Sequence, residues 1–134
     1  MAVDRVVVCG AGPSGVAAAV AAARAGAAVT LVERYGFAGG MATSALVNPF
    51  AGHQYTDPDS GRLGSLIGGL FKEIAARLAR HGAYGSVFSP SAFDEERLKI
   101  VYDQLLAEAG VEVQLHAWTV GARVRAGRIE AVHL

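Results

Sequence analysis

Glycines at positions 10, 12 and 15 and a glutamate at 33 have the spacing in this sequence that points most directly to chemistry. Gly10-Ala11-Gly12-Pro13-Ser14-Gly15 is a GxGxxG loop, set between the β-branched run Val6-Val7-Val8-Cys9 and an alanine-rich stretch of high helix propensity. Each glycine has its own task. Gly10 permits a tight turn, Gly12 lets the backbone approach a pyrophosphate with no Cβ in the way, and Gly15 lets helix and strand pack closely. The helix start at Pro13 and Ser14 presents unpaired N–H groups and a positive dipole end to phosphate. Glu33 follows Gly15 by eighteen residues, at the end of a second apolar run, where a carboxylate accepts hydrogen bonds from both ribose hydroxyls of an adenosine. A 2′-phosphate would face that charge, which disfavours NADP. The motif alone leaves FAD and NAD both open.

Further candidates lie downstream. Arg34 is placed to contact the adenosine or a phosphate, although an ordinary exposed arginine reads the same way. Gly39-Gly40 with Thr43 can cradle pyrophosphate or ribityl oxygens through backbone N–H groups and a hydroxyl. Asn48, His53, Gln54 and Tyr55 form a polar cluster able to face a flavin or substrate, and His53 is the candidate general acid, against the ordinary reading of a solvated loop histidine. His81, His116 and His133 show no metal-ligand spacing, so no metal is expected. Cys9 is the sole cysteine, which excludes an internal disulfide framework or a cysteine-ligated cluster. At the end of a core strand it reads as a small buried hydrophobe without a redox partner.

The elements that position these groups follow from pattern. Residues 6–9 read as a strand buried on both faces of a parallel sheet, 14–25 as a helix capped by Gly26, and 28–33 as the next strand. Residues 35–64 show no sustained period and read as irregular and extended, a length that usually has a job. Leu63, Leu66, Ile67, Leu70, Phe71, Ile74 and Leu78 fall on one helical face, a helix weakened by Gly68 and Gly69, which suit close approach of another backbone. Capping residues and acids start a further helix near Phe93 or Asp94 that runs to Ala109, and Gly110 ends it. Residues 111–117 alternate as a strand with one buried face, and 118–134 read as a hairpin turning at Ala126-Gly127-Arg128. The expected fold class is α/β, a Rossmann-like parallel sheet with a GxGxxG βαβ unit and a β-hairpin at its C-terminal end.

Composition narrows the partners. The chain has 134 residues, 52% hydrophobic, which suits one domain with a real core. Twelve basic residues balance twelve acidic ones with no run of either sign, so the expected partner is a small molecule, with no nucleic acid and no membrane. The early acid in Met1-Ala2-Val3-Asp4-Arg5 does not suit a secretory signal, and the apolar stretch 16–28 carries Arg24 and Gly26 and is too short to span a bilayer. With a single cysteine, a reducing cytoplasm is expected.

The run from Val6 to Glu33, with Gly39-Gly40-Met41-Ala42-Thr43 after it, resembles the FAD-dependent oxidoreductases of the glutathione-reductase structural class. Within that class, Glu33-Arg34-Tyr35-Gly36-Phe37-Ala38-Gly39-Gly40 followed by an Ala-Thr pair is similar to the heterodisulfide-reductase-subunit-A-like flavoproteins. The resemblance implies FAD bound in extended form, its adenine end on the N-terminal unit and its flavin ring reached through residues 39–50. Related flavoproteins often carry arginine after the glycine doublet, where this chain has Met41. The likeness continues through Phe93-Asp94-Glu95-Glu96-Arg97-Leu98-Lys99 and Val111-Glu112-Val113, and implies that the strand end near Val113 lies beside the adenine. Residues 118–134 correspond to the start of a β-meander, so 1–134 is expected to be an incomplete FAD-binding domain. Family members go on to a closing strand and a substrate domain, so this chain corresponds to about the first third of one, with poor stability alone. The implied activity is transfer of hydride or electrons between a substrate and FAD. A non-catalytic dinucleotide-binding module and an NAD(H)-binding reductase component are the alternatives.

Overall fold

In the computed structural model, which describes residues 5–134, the β-branched run forms β1 (Arg5–Cys9) and the alanine-rich stretch forms α1 (Pro13–Arg24). Pro13 opens the helix where its missing N–H costs nothing, and Gly26 leaves it at φ +95°, a conformation that glycine adopts without strain. β2 (Ala28–Val32) returns parallel to β1, with Val6 opposite Val29 and Val8 opposite Leu31. These four side chains turn toward the helices and pack into the core.

The chain then makes a 3-10 turn (Gly40–Ala42) and a small antiparallel pair, β3 (Gln54–Thr56) and β4 (Leu63–Ser65). Two helices follow, α2 (Leu70–Arg80) and α3 (Glu95–Glu108). Asp94 caps α3 by accepting the Arg97 N–H at 2.8 Å, with Glu95 and Glu96 in the first turn where the dipole favours them. β5 (Glu112–Gln114) adds to the sheet in parallel, giving the order β1-β2-β5 with Leu31 opposite Val113. β6 (Gly121–Arg125) and β7 (Arg128–His133) pair as a separate hairpin through Ala126 and Gly127, both at positive φ as a two-residue turn requires. The fold class is the α/β, Rossmann-like arrangement expected, with its hairpin at the C-terminal end.

Val16, Val20, Leu31, Leu78, Leu98 and Leu105 are fully buried where sheet and helices meet, each side chain contributing about 1.5–3 kcal/mol. On the helices' outer surface an ion-pair chain joins all three. Arg24 of α1 holds Glu73 of α2 at 2.8 Å, and Arg77 holds Glu73 at 2.7 Å and Glu108 of α3 at 2.6 Å. The hydrogen bonds from Arg24 and then Arg77 bring the Glu73 carboxyl down to about 2.

Several expectations are corrected. β1 is half open: Val7 is 45% exposed and Cys9 is an exposed thiol, because the helices cover only the Val6–Val8 face and only β2 pairs with the strand among the described residues. Residues 35–64 hold the 3-10 turn and the β3–β4 pair and are not structureless. The apolar stripe from Leu63 is not one helix, since Leu63 belongs to β4, Leu66 and Ile67 are exposed, and α2 begins only after Gly69 at φ +54°. Two successive glycines, about 1 kcal/mol each in a helix, stop propagation there. No atom lies within 4 Å of a Cβ built at Gly68 or Gly69, so neither serves close approach. Past β2, the alternation at 111–117 gives only three strand residues. Val111 is buried, but Val113 and Leu115 are exposed, and His116 at φ +55° breaks the run. The reading of residues 1–4 lies outside the described residues. No helix among the described residues is long and apolar enough to cross a membrane.

Candidate functional site

The glycine loop is built backbone first. Gly10 turns at φ +96° and donates its N–H to Val32 O at 2.7 Å, holding the loop to the end of β2. A Cβ at Gly15 would stand 1.9 Å from Gly10 O, so helix and loop meet only because that atom is missing. At Gly10 and Gly12 a Cβ would meet nothing within 4 Å, so the loop opens onto free space. Gly12 is the N-cap of α1 and no side chain caps the helix, which leaves its first N–H groups for an anion.

Glu33 stands at the tip of β2 and is 6% exposed. Its Oε2 accepts the Ala11 N–H at 2.7 Å and its Oε1 the Tyr35 N–H at 2.9 Å. Its main chain donates to Gln114 O and accepts from Ala117 N, so four backbone groups converge on this residue. The glycine doublet closes on the same loop. Gly39 donates to Ala11 O at 2.7 Å, and a Cβ at Gly40 would lie 2.9 Å from Gly12 Cα.

Two clefts flank Glu33 and Arg34. The first, of about 380 Å³, is lined by Cys9, Gly10, Glu33, Arg34, Trp118 and Thr119 among others. The second, of about 360 Å³, is lined by Glu33, Arg34, Tyr35, Gly40, Met41 and Ser44, with Ala45. Arg34 stacks its guanidinium 4.5 Å from the Tyr35 ring centre and 5.1 Å from that of Trp118, and donates to Tyr35 Oη at 2.8 Å. Aromatic neighbours therefore hold this cation between the clefts.

The structure brings Gly10, Gly12, Pro13, Ser14, Gly15, Glu33, Arg34, Gly39 and Gly40 into one corner of the molecule. Thr43 is buried beside them and donates its hydroxyl to Ala38 O at 2.9 Å, while the neighbouring Ser44 Oγ is buried without a partner among the described residues. Sequence reasoning passed over Ser44, although a second hydroxyl directly after Thr43 was the available signal. Trp118 and Thr119 were also passed over as lining residues. Val113 lies within β5 opposite Leu31 and lines neither cleft.

His53 is not a solvated loop residue. It is buried against the Phe71 ring, with Nε2 3.2 Å from Ser91 Oγ and Nδ1 without a partner among the described residues, and it lines neither cleft. Asn48 is turned away to clamp the start of α3, accepting from Phe93 N at 3.2 Å and donating to Glu95 Oε1 at 3.3 Å. Gln54 and Tyr55 are exposed on β3. The polar cluster read from the sequence is therefore dispersed. Among the described residues, no group of three or more His, Cys, Asp or Glu could hold a metal ion.

With this geometry the chain is a nucleotide-binding βαβ unit, and it belongs to the FAD dependent oxidoreductase family, whose model matches residues 5–134. FAD is the cofactor of that family. The fold is shared with the THI4 protein of Thermovibrio ammonificans, at 21% identity and a TM-score of 0.54 over 97% of this chain and 45% of that one. It is also shared with the L-proline dehydrogenase of P. horikoshii, at 13% identity and a TM-score of 0.61 over 97% of this chain and 48% of that one. An oxidoreductase from Methanosarcina mazei matches at 11% identity and a TM-score of 0.54 over 96% of this chain and 55% of that one. No curated protein matches the sequence. The chain thus spans about half the length of these structures.

The site suits an extended dinucleotide. The space above Gly10 and Gly12, the uncapped helix, the carboxylate between two clefts and the orphaned Ser44 hydroxyl are the donor and acceptor set that a ribose and a pyrophosphate need.

Proposed function

We propose that this chain holds FAD along the two clefts, as the cofactor-binding part of an oxidoreductase that moves hydride or electrons between a small-molecule substrate and the flavin. The observation that carries this reading is the buried Glu33 carboxylate, joined to the Ala11 N–H and standing where both clefts meet. In this reading Glu33 accepts the ribose hydroxyls, and the backbone of Gly10, Gly12, Pro13, Ser14 and Gly15 faces the pyrophosphate. Arg34 neutralises phosphate or stacks on the adenine. Gly39 and Gly40 bring the second segment against the phosphates. Thr43 holds that segment in shape, because its proton is committed to Ala38, and Ser44 offers the free hydroxyl. At Val113 the outer edge of β5 offers backbone groups to the adenine.

FAD supplies the redox chemistry when bound, and the protein positions it and shapes its electrostatics. We place His53 outside the reacting centre because it lines neither cleft, and we assign no other side chain to catalysis. Residues 1–134 act as a cofactor-binding domain in which 118–134 begin a meander. Neighbours about twice as long support a substrate-binding part contributed by further polypeptide. The unpaired Cys9 thiol suits a reducing cytoplasm.

An FAD titration followed by flavin fluorescence, with NADH titrated separately, tests the reading. Saturable FAD binding that Glu33→Ala weakens at least tenfold is expected. Unchanged affinity in that variant would remove Glu33 from the site.

A further inference from the structure

A third cavity, of about 400 Å³, lies between α1, the segment after the glycine doublet, α2 and α3. Its walls include Ala17, Met41, Phe50, Leu70, Phe71 and Tyr102, and none of its lining residues is charged. It adjoins the cofactor clefts, because Met41 lines both this cavity and the second cleft, and Pro13 at the start of α1 also lines it. One polar group stands in its wall. Tyr102, a buried residue at 1% exposure, is the one lining residue with a polar side chain. Burial pushes that phenol up to about 12, so it stays protonated and able both to donate and to accept.

From these observations we propose that this cavity is the share of the substrate site that this chain supplies beside the further polypeptide, and that it takes an uncharged, largely apolar, ring-sized group able to hydrogen-bond to Tyr102 Oη. The volume falls in the range of small-molecule sites, and a few placed polar groups on apolar walls are how such sites orient a ligand. Charge is excluded for a physical reason. A carboxylate or ammonium entering the cavity would lose its water and find no counter-charge on the walls. The Tyr102 phenol, by contrast, can give or take one hydrogen bond with a neutral ligand group at no such cost.

The proposal rests on the FAD reading, since a substrate site is defined by its neighbouring cofactor. Its test is binding of indole to the FAD-saturated chain, followed by ligand-detected NMR, beside the anion indole-3-acetate and the cation tryptamine, with FAD affinity measured on the same samples. Expected are saturable indole binding, charged relatives weaker by about tenfold or more, and about a fivefold loss in Tyr102→Phe. Ala17→Leu, which fills the cavity from α1, should reduce indole binding at least about tenfold and leave FAD affinity unchanged. No indole binding with FAD bound, equal binding of the charged relatives, or an Ala17→Leu variant that binds indole as before would overturn the proposal. So would displacement of indole by FAD, which would assign the cavity to the cofactor. Indole binding without any FAD binding would leave a cavity with no redox partner, overturning the FAD reading and the substrate assignment together.

Discussion

Glu33 Oε2 accepts the backbone N–H of Ala11 at 2.7 Å, tying the tip of β2 to the middle of the glycine loop twenty-two residues earlier. The same carboxylate takes the Tyr35 N–H with its other oxygen. If Glu33 holds the ribose as proposed, cofactor affinity and loop stability share one side chain. Glu33→Ala should leave two main-chain donors without their acceptor, at about 1–3 kcal/mol for each that stays dry. Urea denaturation of the cofactor-free chain should show this as a lowered midpoint. Glu33→Gln keeps one acceptor oxygen and should lose less. Equal midpoints for the parent and Glu33→Ala would mean that water replaces the carboxylate freely.

The glycines of the loop should separate folding from binding. Gly15→Ala places a methyl 1.9 Å from Gly10 O, which only a backbone shift relieves, so a stability loss of about 3 kcal/mol or more and loss of FAD binding are expected. Gly12→Ala meets nothing within 4 Å, and Gly12 has an ordinary φ of −65°. That variant should melt like the parent and bind FAD at least about tenfold more weakly, through contact with the ligand alone. A Gly12→Ala chain with parental FAD affinity would place the pyrophosphate elsewhere.

Acid should loosen the helix layer. The hydrogen bonds from Arg24 and Arg77 lower the folded-state Glu73 carboxyl from 4.5 to about 2. A depressed carboxyl stabilises fully above its unfolded value and loses that contribution as pH falls toward its folded value. The loss is therefore expected between about pH 4.5 and 2, with Glu108, also lowered by Arg77, adding in the same direction. These groups meet solvent, which screens the pairs and keeps the gain small. Denaturation midpoints measured across that pH range should fall less steeply in Glu73→Gln.

Cys9 offers a chemical probe of occupancy. The exposed thiol lines the first cleft beside Gly10 and Glu33. Iodoacetamide should label it in the native chain, and saturating FAD should slow the labelling severalfold. Mass spectrometry of a time course reads both rates, and indifference to FAD would show that the cofactor leaves this cleft open.

Legibility followed the range of the interactions. The glycine loop, α1, Asp94 as cap of α3 and the Ala126-Gly127 turn are set by neighbours a few residues apart, and the sequence pattern displays them. The β3–β4 pair rests on Tyr55 packing across Gly64, where a Cβ would come within 2.3 Å of the ring, and no periodicity announces such a contact. His53 looked solvated because its segment is polar, yet Phe71 and Ser91, brought from distant sequence, bury it. Cys9 looked buried because the run Val6–Cys9 is apolar throughout, and only the coordinates show that the strand lies at an edge among the described residues with Val7 and Cys9 exposed. At the site, residue types disclosed Glu33 and the glycines, while the orphaned Ser44 hydroxyl needed coordinates.

The approach of Gly40 to Gly12 bears on heredity as well as on geometry. A methyl at position 40 would strike a main-chain atom, and main-chain atoms have no rotamers with which to give way. A clash between side chains can be repaired by a second mutation in the partner; here the partner is already glycine and has nothing left to remove. No second substitution at position 12 can therefore release position 40, so that a lineage which gives up the second glycine has to redraw the path of the chain between them.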